Sequence, residues 1–466
     1  SNFNSPPGSL RKIVQDIFNN NYSTSTDGWT ITWAEDRTTF DPTELEAAMY
    51  VDTELTIDGG GLDVWNRGLR NIRQFHVLDG GHLTLRNLTL TGSGSSEGIN
   101  GRGGIIVVRA GGELVVENVR FVDVEMSDYL TGDTVSDGHI NPDNAVGGAI
   151  ANEGGSITIR NSSFENVEAN IGGGAIANVA GTTTIENTRF LGNDTGDTDE
   201  VSGGLAEGGG AIAVHGGSVT VIDSFFSGNR STDDNTYWKH GGAIAVFGDG
   251  DLYVHGSQFV RNEGRFGSAI FQAQDATGAL SVGSSFFYRN VSYAAGASVI
   301  ADDEWALASD GDTEIHTSTF VGNFSDSNFG RFDRAFWVTG PNTGAAPWFN
   351  VLFINNDIDD DSGSGIAATD NSSYLVTGVE ASDLLESLPY AGDGTWGTAA
   401  DIPGNPAIRS GASIESNVVD QGSTSYTLAD TADIDGDGNT TEREPVDVNG
   451  DSRVQGSSID RGAAER

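Results

Sequence analysis

Apolar residues in this chain fall mostly into short runs of period two. Leu83-Thr84-Leu85, Leu114-Val115-Val116, Ser156-Ile157-Thr158-Ile159 and Ser218-Val219-Thr220-Val221 send alternate side chains to one face, which predicts half-buried strands. The exception is near the start. Leu10, Ile13, Val14, Ile17 and Phe18 follow the i, i+3, i+4, i+7, i+8 spacing of an amphipathic helix, with Ser9 placed to cap it.

The strands sit inside a longer repeat. Gly-Gly-Ala-Ile-Ala occurs at Gly147–Ala151, Gly173–Ala177, Gly209–Ala213 and Gly241–Ala245, with a degenerate copy at Gly267-Ser268-Ala269-Ile270. A short alternating strand follows each copy, and then Phe-x-x-Asn: Phe190/Asn193, Phe226/Asn229, Phe259/Asn262, Phe287/Asn290, Phe320/Asn323 and Phe353/Asn356. Successive phenylalanines there are 36, 33, 28, 33 and 33 residues apart. Phe164 holds the same slot in an imperfect copy, with Val167 in place of asparagine.

Short strands punctuated by glycine at this interval predict an all-β fold, a single-stranded right-handed parallel β-helix. One coil cannot bury its own inward side chains, but stacked coils bury them against each other. Ile150, Ile176, Ile212, Ile244 and Ile270 then form one internal ladder and the phenylalanines another. The paired glycines supply backbone conformations that a Cβ forbids. A β-sandwich would not repeat the same words in the same order. The chain divides into residues 1–60 (N-terminal cap and first strands), 61–356 (repeats) and 357–466 (C-terminal cap).

These words resemble the Gly-Gly-Ala-Ile and Phe-x-x-Asn repeats of chlamydial-type polymorphic outer-membrane proteins and related β-helix surface proteins, over roughly residues 100–356. Gly8-Ser9-Leu10-Arg11, then Trp29–Trp33 and Leu55–Gly60, is similar to the opening of secreted bacterial and archaeal β-helix proteins. Asn405–Gly411 and Arg453–Glu465 resemble the region that precedes a variable cell-surface anchor in the same families, departing from it at Arg409 and Arg461. The resemblance implies the fold and export to a cell surface. With no signal peptide at its start the chain reads as a mature or trimmed product or as a cytosolic protein, and the resemblance favours the first; with no anchor after Arg466, the anchor is expected either to have been removed or to be replaced by other surface contacts.

Charge narrows the partners. Against 67 Asp and Glu stand 24 Lys and Arg, a net charge of −43, and lysine occurs only at Lys12 and Lys239. Unaided binding to nucleic acid or to an anionic membrane surface needs a cationic face and is not expected. Two settings fit the acid loading: a surface kept hydrated in high salt, or an extracellular protein in water rich in divalent cations. No apolar run reaches the length of a membrane span. The absence of cysteine excludes disulfides, thiolate metal sites and a cysteine nucleophile.

One segment has metal-ligand spacing. Asp433-Ile434-Asp435-Gly436-Asp437-Gly438-Asn439-Thr440-Thr441-Glu442-Arg443-Glu444 matches Asp-x-Asp-x-Asp-Gly followed at the right distance by Glu. Asp433, Asp435 and Asp437 converge on one hard cation while Gly438 allows the bend. Asn439 offers its carbonyl, Thr441 a ligand or bridging water, and Glu444 closes bidentately, a set suited to Ca2+. Its expected role is to knit the terminal cap. Asp447, Asn449 and Asp451 repeat the first half of this pattern without a closing glutamate.

Asn-x-Ser/Thr begins at Asn193, Asn229, Asn290 and Asn323, and also at Asn21, Asn87, Asn161 and Asn371. The first four are either a line of glycosylation acceptors or an internal asparagine stack; the regular slot favours the stack. Catalysis is less well served. Lysine, the usual lyase base, is nearly absent. The pairs Asp233-Asp234 and Asp302-Asp303 fall in loop-like sequence, and His215, His240 and His255 fit no metal spacing. Insertions at residues 124–146, 194–208 and 230–240 occupy one corner of the coil and should project from one side. They carry Tyr129, Leu130, Leu205, Tyr237 and Trp238 among many acids, which suits carbohydrate stacking or protein docking. The expectation is a non-catalytic, calcium-stabilised extracellular or cell-surface rod, structural or adhesive, that self-associates head to tail. The alternatives are a polysaccharide lyase or hydrolase and a phage-like receptor-binding spike.

Overall fold

The structure, a computed structural model, describes residues 10–19, 28–32, 39–40, 49–65, 74–95, 103–127, 146–169, 171–195, 207–231, 239–273, 276–293, 299–302, 313–325, 348–356, 374–422, 439, 446–453 and 458–465. It is a parallel β-helix with three faces, each a column of strands from successive coils.

The first face carries the Gly-Gly-Ala-Ile word. Met49, Phe75, Ile106, Ile150, Ile176, Ile212, Ile244, Ile270 and Ile300 pair in unbroken register up this column. The predicted isoleucine ladder is therefore real and longer than its sequence word. On the second face, Leu55, Leu83, Leu114, Ile157, Thr183, Val219, Leu252 and Leu280 stack inward. The third face stacks Leu90, Phe121, Phe164, Phe190, Phe226, Phe259, Phe287, Phe320 and Phe353. Neighbouring rings from Phe121 to Phe353 lie 4.5–5.4 Å apart and within 19° of parallel. Phe121, which no repeated word marks, begins the stack.

The two glycines of the repeat do different work. Gly147, Gly173, Gly209, Gly241 and Gly267 hold φ between +58° and +79°, the left-handed region. The second glycines are close approaches: a Cβ on Gly174 would lie 2.0 Å from the Gly210 carbonyl oxygen, and one on Gly210 2.3 Å from that of Gly242. Between the second and third faces the corner residue is also left-handed, at Asn87, Asn118, Asn161, Asn187, Asp223, Gly256, Ser284, Thr317 and Asn350. Asparagine, aspartate and glycine tolerate that conformation best.

Helix Leu10–Phe18 forms where its apolar spacing predicts. Val14 and Ile17 are buried in the main core, and the Phe18 ring lies 6.0 Å from Tyr50 on the first coil of the isoleucine face. Ser9 lies outside the described residues.

The C-terminal region straps the flank of the rod. From Leu191 onward the outer side of the phenylalanine face carries an apolar residue in each coil, and Leu191, Phe225, Val260 and Phe286 pack with Leu384, Leu385 and Ile408 of the strap. Polar contacts fix its position. Ser227 donates to Asp401 (2.6 Å), and Gln258 exchanges two hydrogen bonds of 2.9 Å with the Gly404 backbone. Gly397 rests directly on Gly192 and Gly228, where any Cβ would approach within 3.0 Å. Both departures from the surface-protein pattern serve this strap: Arg409 donates to the Leu385 and Glu386 carbonyls, and Arg461 to that of Asn417.

Candidate functional site

The Phe-x-x-Asn asparagines point inward and form a continuous carboxamide ladder. Each Nδ2 donates to the Oδ1 one coil on, from Asn193 through Asn229, Asn262, Asn290 and Asn323 to Asn356, at 2.8–3.0 Å. The second Nδ2 proton goes to a phenylalanine carbonyl of the coil before, and each of the last five Oδ1 atoms also accepts the backbone N–H of the preceding asparagine. From Asn229 to Asn323 a side chain with two donors and two acceptor sites is thus satisfied without water. Val124 and Val167 fill the same slot, buried, in the earlier coils.

Two further ladders escaped sequence reasoning. Ser162, Ser224, Ser257, Ser285 and Ser318 each donate to the carbonyl two residues back, at 2.7–2.9 Å, and accept a backbone N–H from the preceding coil. The available signal was a serine two residues before most of the phenylalanines. Inside the isoleucine face, Asn152 and Asn178 bond to each other (3.0 Å) and to Thr183. They directly follow two copies of Gly-Gly-Ala-Ile-Ala, where their polarity was visible.

The insertions do share one corner. The departing ends of the second and third stack, Asp194 on Arg230, in a column that continues through Glu263–Gly264, Val291–Ser292 and Phe324–Ser325. The returning ends stack likewise, Val146 on Gly172 on Gly208, with Glu207–Gly208 beside Lys239–His240. Ala151, Ala177, Ala213 and Ala245, next to the ladder isoleucines, are fully buried. A Cβ on Gly172 would stand 3.5 Å from that of Ala213, so the returning chain lies close against the isoleucine face there. The first insertion begins later than the sequence suggested, because residues 124–127 continue the strand Glu113–Ser127. Tyr129, Leu130, Leu205, Tyr237 and Trp238 lie outside the described residues or have no described side chain.

Of the calcium-loop residues, Asp433, Asp435, Asp437, Thr441 and Glu444 lie outside the described residues, and Asn439 is exposed. The half-pattern just after it takes another form. One Asp447 oxygen accepts the N–H groups of Asn449 (2.8 Å) and Asp451 (3.0 Å), the other that of Glu465 (2.6 Å). Its carboxylate closes a turn. Among the described residues no group of three or more His, Asp or Glu is arranged to hold a metal ion.

Around Asp447 the chain builds a buried latch. The Arg453 guanidinium donates to the carbonyls of Gly462, Ala463 and Thr317, and its Nε lies 3.5 Å from Glu465 Oε1. Glu465 accepts the Asp460 N–H on both oxygens, while Ala463 and Gly462 donate to Thr319 Oγ1 and the Asn350 carbonyl, tying the strap to the rod. Three carboxylates and one guanidinium share a site of at most 4% exposure, so ionising all of them leaves uncompensated negative charge. Burial first, with the Asp460 charge adding to it and Arg453 opposing, pushes the Glu465 carboxyl up to about 8. Burial likewise raises Asp447.

His215 and His240 each lie against an aromatic ring. His215 stacks on Phe247 at 5.2 Å, and His240 is fully buried against Phe266 and Phe271. Burial and then the Arg265 charge lower His240 to about 3. Asp233, Asp234 and Asp303 lie outside the described residues, and nothing is described of the Asp302 side chain. No described helix is long and apolar enough to cross a membrane. No family model, curated protein or solved structure matches this chain.

Proposed function

We propose that this protein is a non-catalytic rod of an extracellular matrix or cell surface, structural or adhesive, which associates end to end and is stabilised by calcium at its C-terminal loop. The observation that carries this reading is where the repeat is used: the isoleucine, phenylalanine and asparagine words all line the interior. Repetition here supports stiffness, and the insertions gathered at one corner leave a side for partners such as carbohydrate or protein. Two unlike ends favour heterologous contacts, which grow into filaments when they do not close. Asp433–Glu444 remains the proposed calcium loop on its ligand spacing.

Electron microscopy of the full chain with calcium and with a chelator tests the assembly. End-joined rods that disperse on chelation are expected; single rods under both conditions reject it. A melting curve indifferent to calcium and chelator, with no bound ion detected, rejects the metal. Reducing ends released from a polysaccharide panel would overturn the non-catalytic reading.

A further inference from the structure

We infer that this chain has to complete its fold out of reach of any Asn-x-Ser/Thr glycosyltransferase that acts on unfolded protein. Asn193, Asn229, Asn290 and Asn323 begin sequons, and all four are fully buried in the carboxamide ladder. Both protons of each Nδ2 are committed, one to the next asparagine and one to a phenylalanine carbonyl. The sequons arise where two interior columns run side by side. The third sequon residue falls at Thr195, Ser231, Ser292 and Ser325; the first three are buried, and the Thr195 hydroxyl lies 3.3 Å from that of Ser231.

Transfer from a lipid-linked donor breaks the sugar C1–O bond to pyrophosphate and forms a C1–Nδ2 bond. The amide gives up one proton to the departing lipid pyrophosphate. The remaining Nδ2 proton cannot serve both ladder partners, and the sugar has no room inside a packed coil. A glycan at any of the four therefore removes at least one ladder bond and blocks the coil from closing. Asn161 offers a contrast within the same chain. It is exposed at a corner, its Oδ1 accepts from Asn187, and a sugar on its nitrogen would project into solvent.

The test expresses the full chain in a cytosol without N-glycosylation and in a eukaryotic secretory pathway, with glycans mapped by mass spectrometry and folding read by protease resistance. Resistant rods are expected from the cytosol. Secretion should give protease-sensitive chains with glycans on ladder asparagines. Blocking donor-lipid synthesis should restore rods, as should Thr195→Ala/Ser231→Ala/Ser292→Ala/Ser325→Ala, which removes the sequons and keeps the asparagines; that variant should fold in the cytosol. Protease-resistant rods bearing a glycan at any of the four overturn the inference. So do secreted wild-type rods with the four bare, because folding would then outrun transfer, and so does failure of donor blockade to restore rods.

Discussion

Asn229 donates to Asn262 across 2.9 Å, one coil further along the rod, and the acceptor oxygen also takes the Asn229 backbone N–H at 3.0 Å. One side chain thus stitches its neighbour twice. Because Asn262 repeats the act toward Asn290, the ladder couples each coil to the next with no water needed.

Removing one rung should therefore cost more than one hydrogen bond. Asn262→Ala strands one Nδ2 proton and the backbone N–H of Asn229 and the Phe226 carbonyl in a dry interior, and leaves the Asn290 oxygen with the backbone N–H of residue 262 alone. An expected loss of about 3–5 kcal/mol would appear in denaturant unfolding, with hydrogen exchange accelerated first in the adjoining coils. A change below about 1 kcal/mol would mean that water fills the gap.

Gly397→Ala should lift the strap from the flank. The new methyl would come within 3.0 Å of the Gly192 backbone, and residue 397 holds φ +84°. Half-buried Trp396 beside it reports the change, so its fluorescence should shift to the red while the far-ultraviolet β signal stays. An unmoved emission maximum would show the strap accommodating the methyl.

The latch predicts a pH dependence. Glu465 has its carboxyl raised to about 8 from 4.5, so the fold favours its protonated form. That contribution is fully present below pH 4.5 and is lost as the pH rises toward 8, by an amount on the order of a few kcal/mol. Asp447 is shifted the same way. Strap release, followed by proteolysis across pH 5–9, should therefore increase with pH in the native chain, and Glu465→Gln should flatten the rise.

His240 acts at the other end of the scale. Lowered from 6.5 to about 3, it is neutral in the fold and charges more readily once unfolded. Its contribution is present above pH 6.5 and is lost as the pH falls toward 3. His240→Phe should shift the acid unfolding midpoint downward. An unaltered midpoint would show that His240 does not set the acid limit.

What was legible in the chain followed from repetition. Inward isoleucine, phenylalanine and asparagine recur because each must match its copy one coil away, so local words carried long-range contacts. Phe121 and the serine ladder were missed because their surrounding words vary, although their slots do not. The calcium spacing is equally local, yet its ligands lie almost entirely outside the described residues.

The strap was decided only in three dimensions. Phe225-Phe226, Phe286-Phe287-Tyr288 and Leu352-Phe353-Ile354 are apolar at consecutive positions, the mark of strands buried on both sides. That pattern says that something covers the outer face without saying what. The cover does not repeat, so no local spacing identifies it; docking of Leu384, Leu385 and Ile408 across coils far away in sequence does. The sequence by itself determined the interior of the rod, where like stacks on like. Tertiary contact alone chose what wraps its flank, because burying an outer face depends on shape and apolar area brought together from distant parts of the chain.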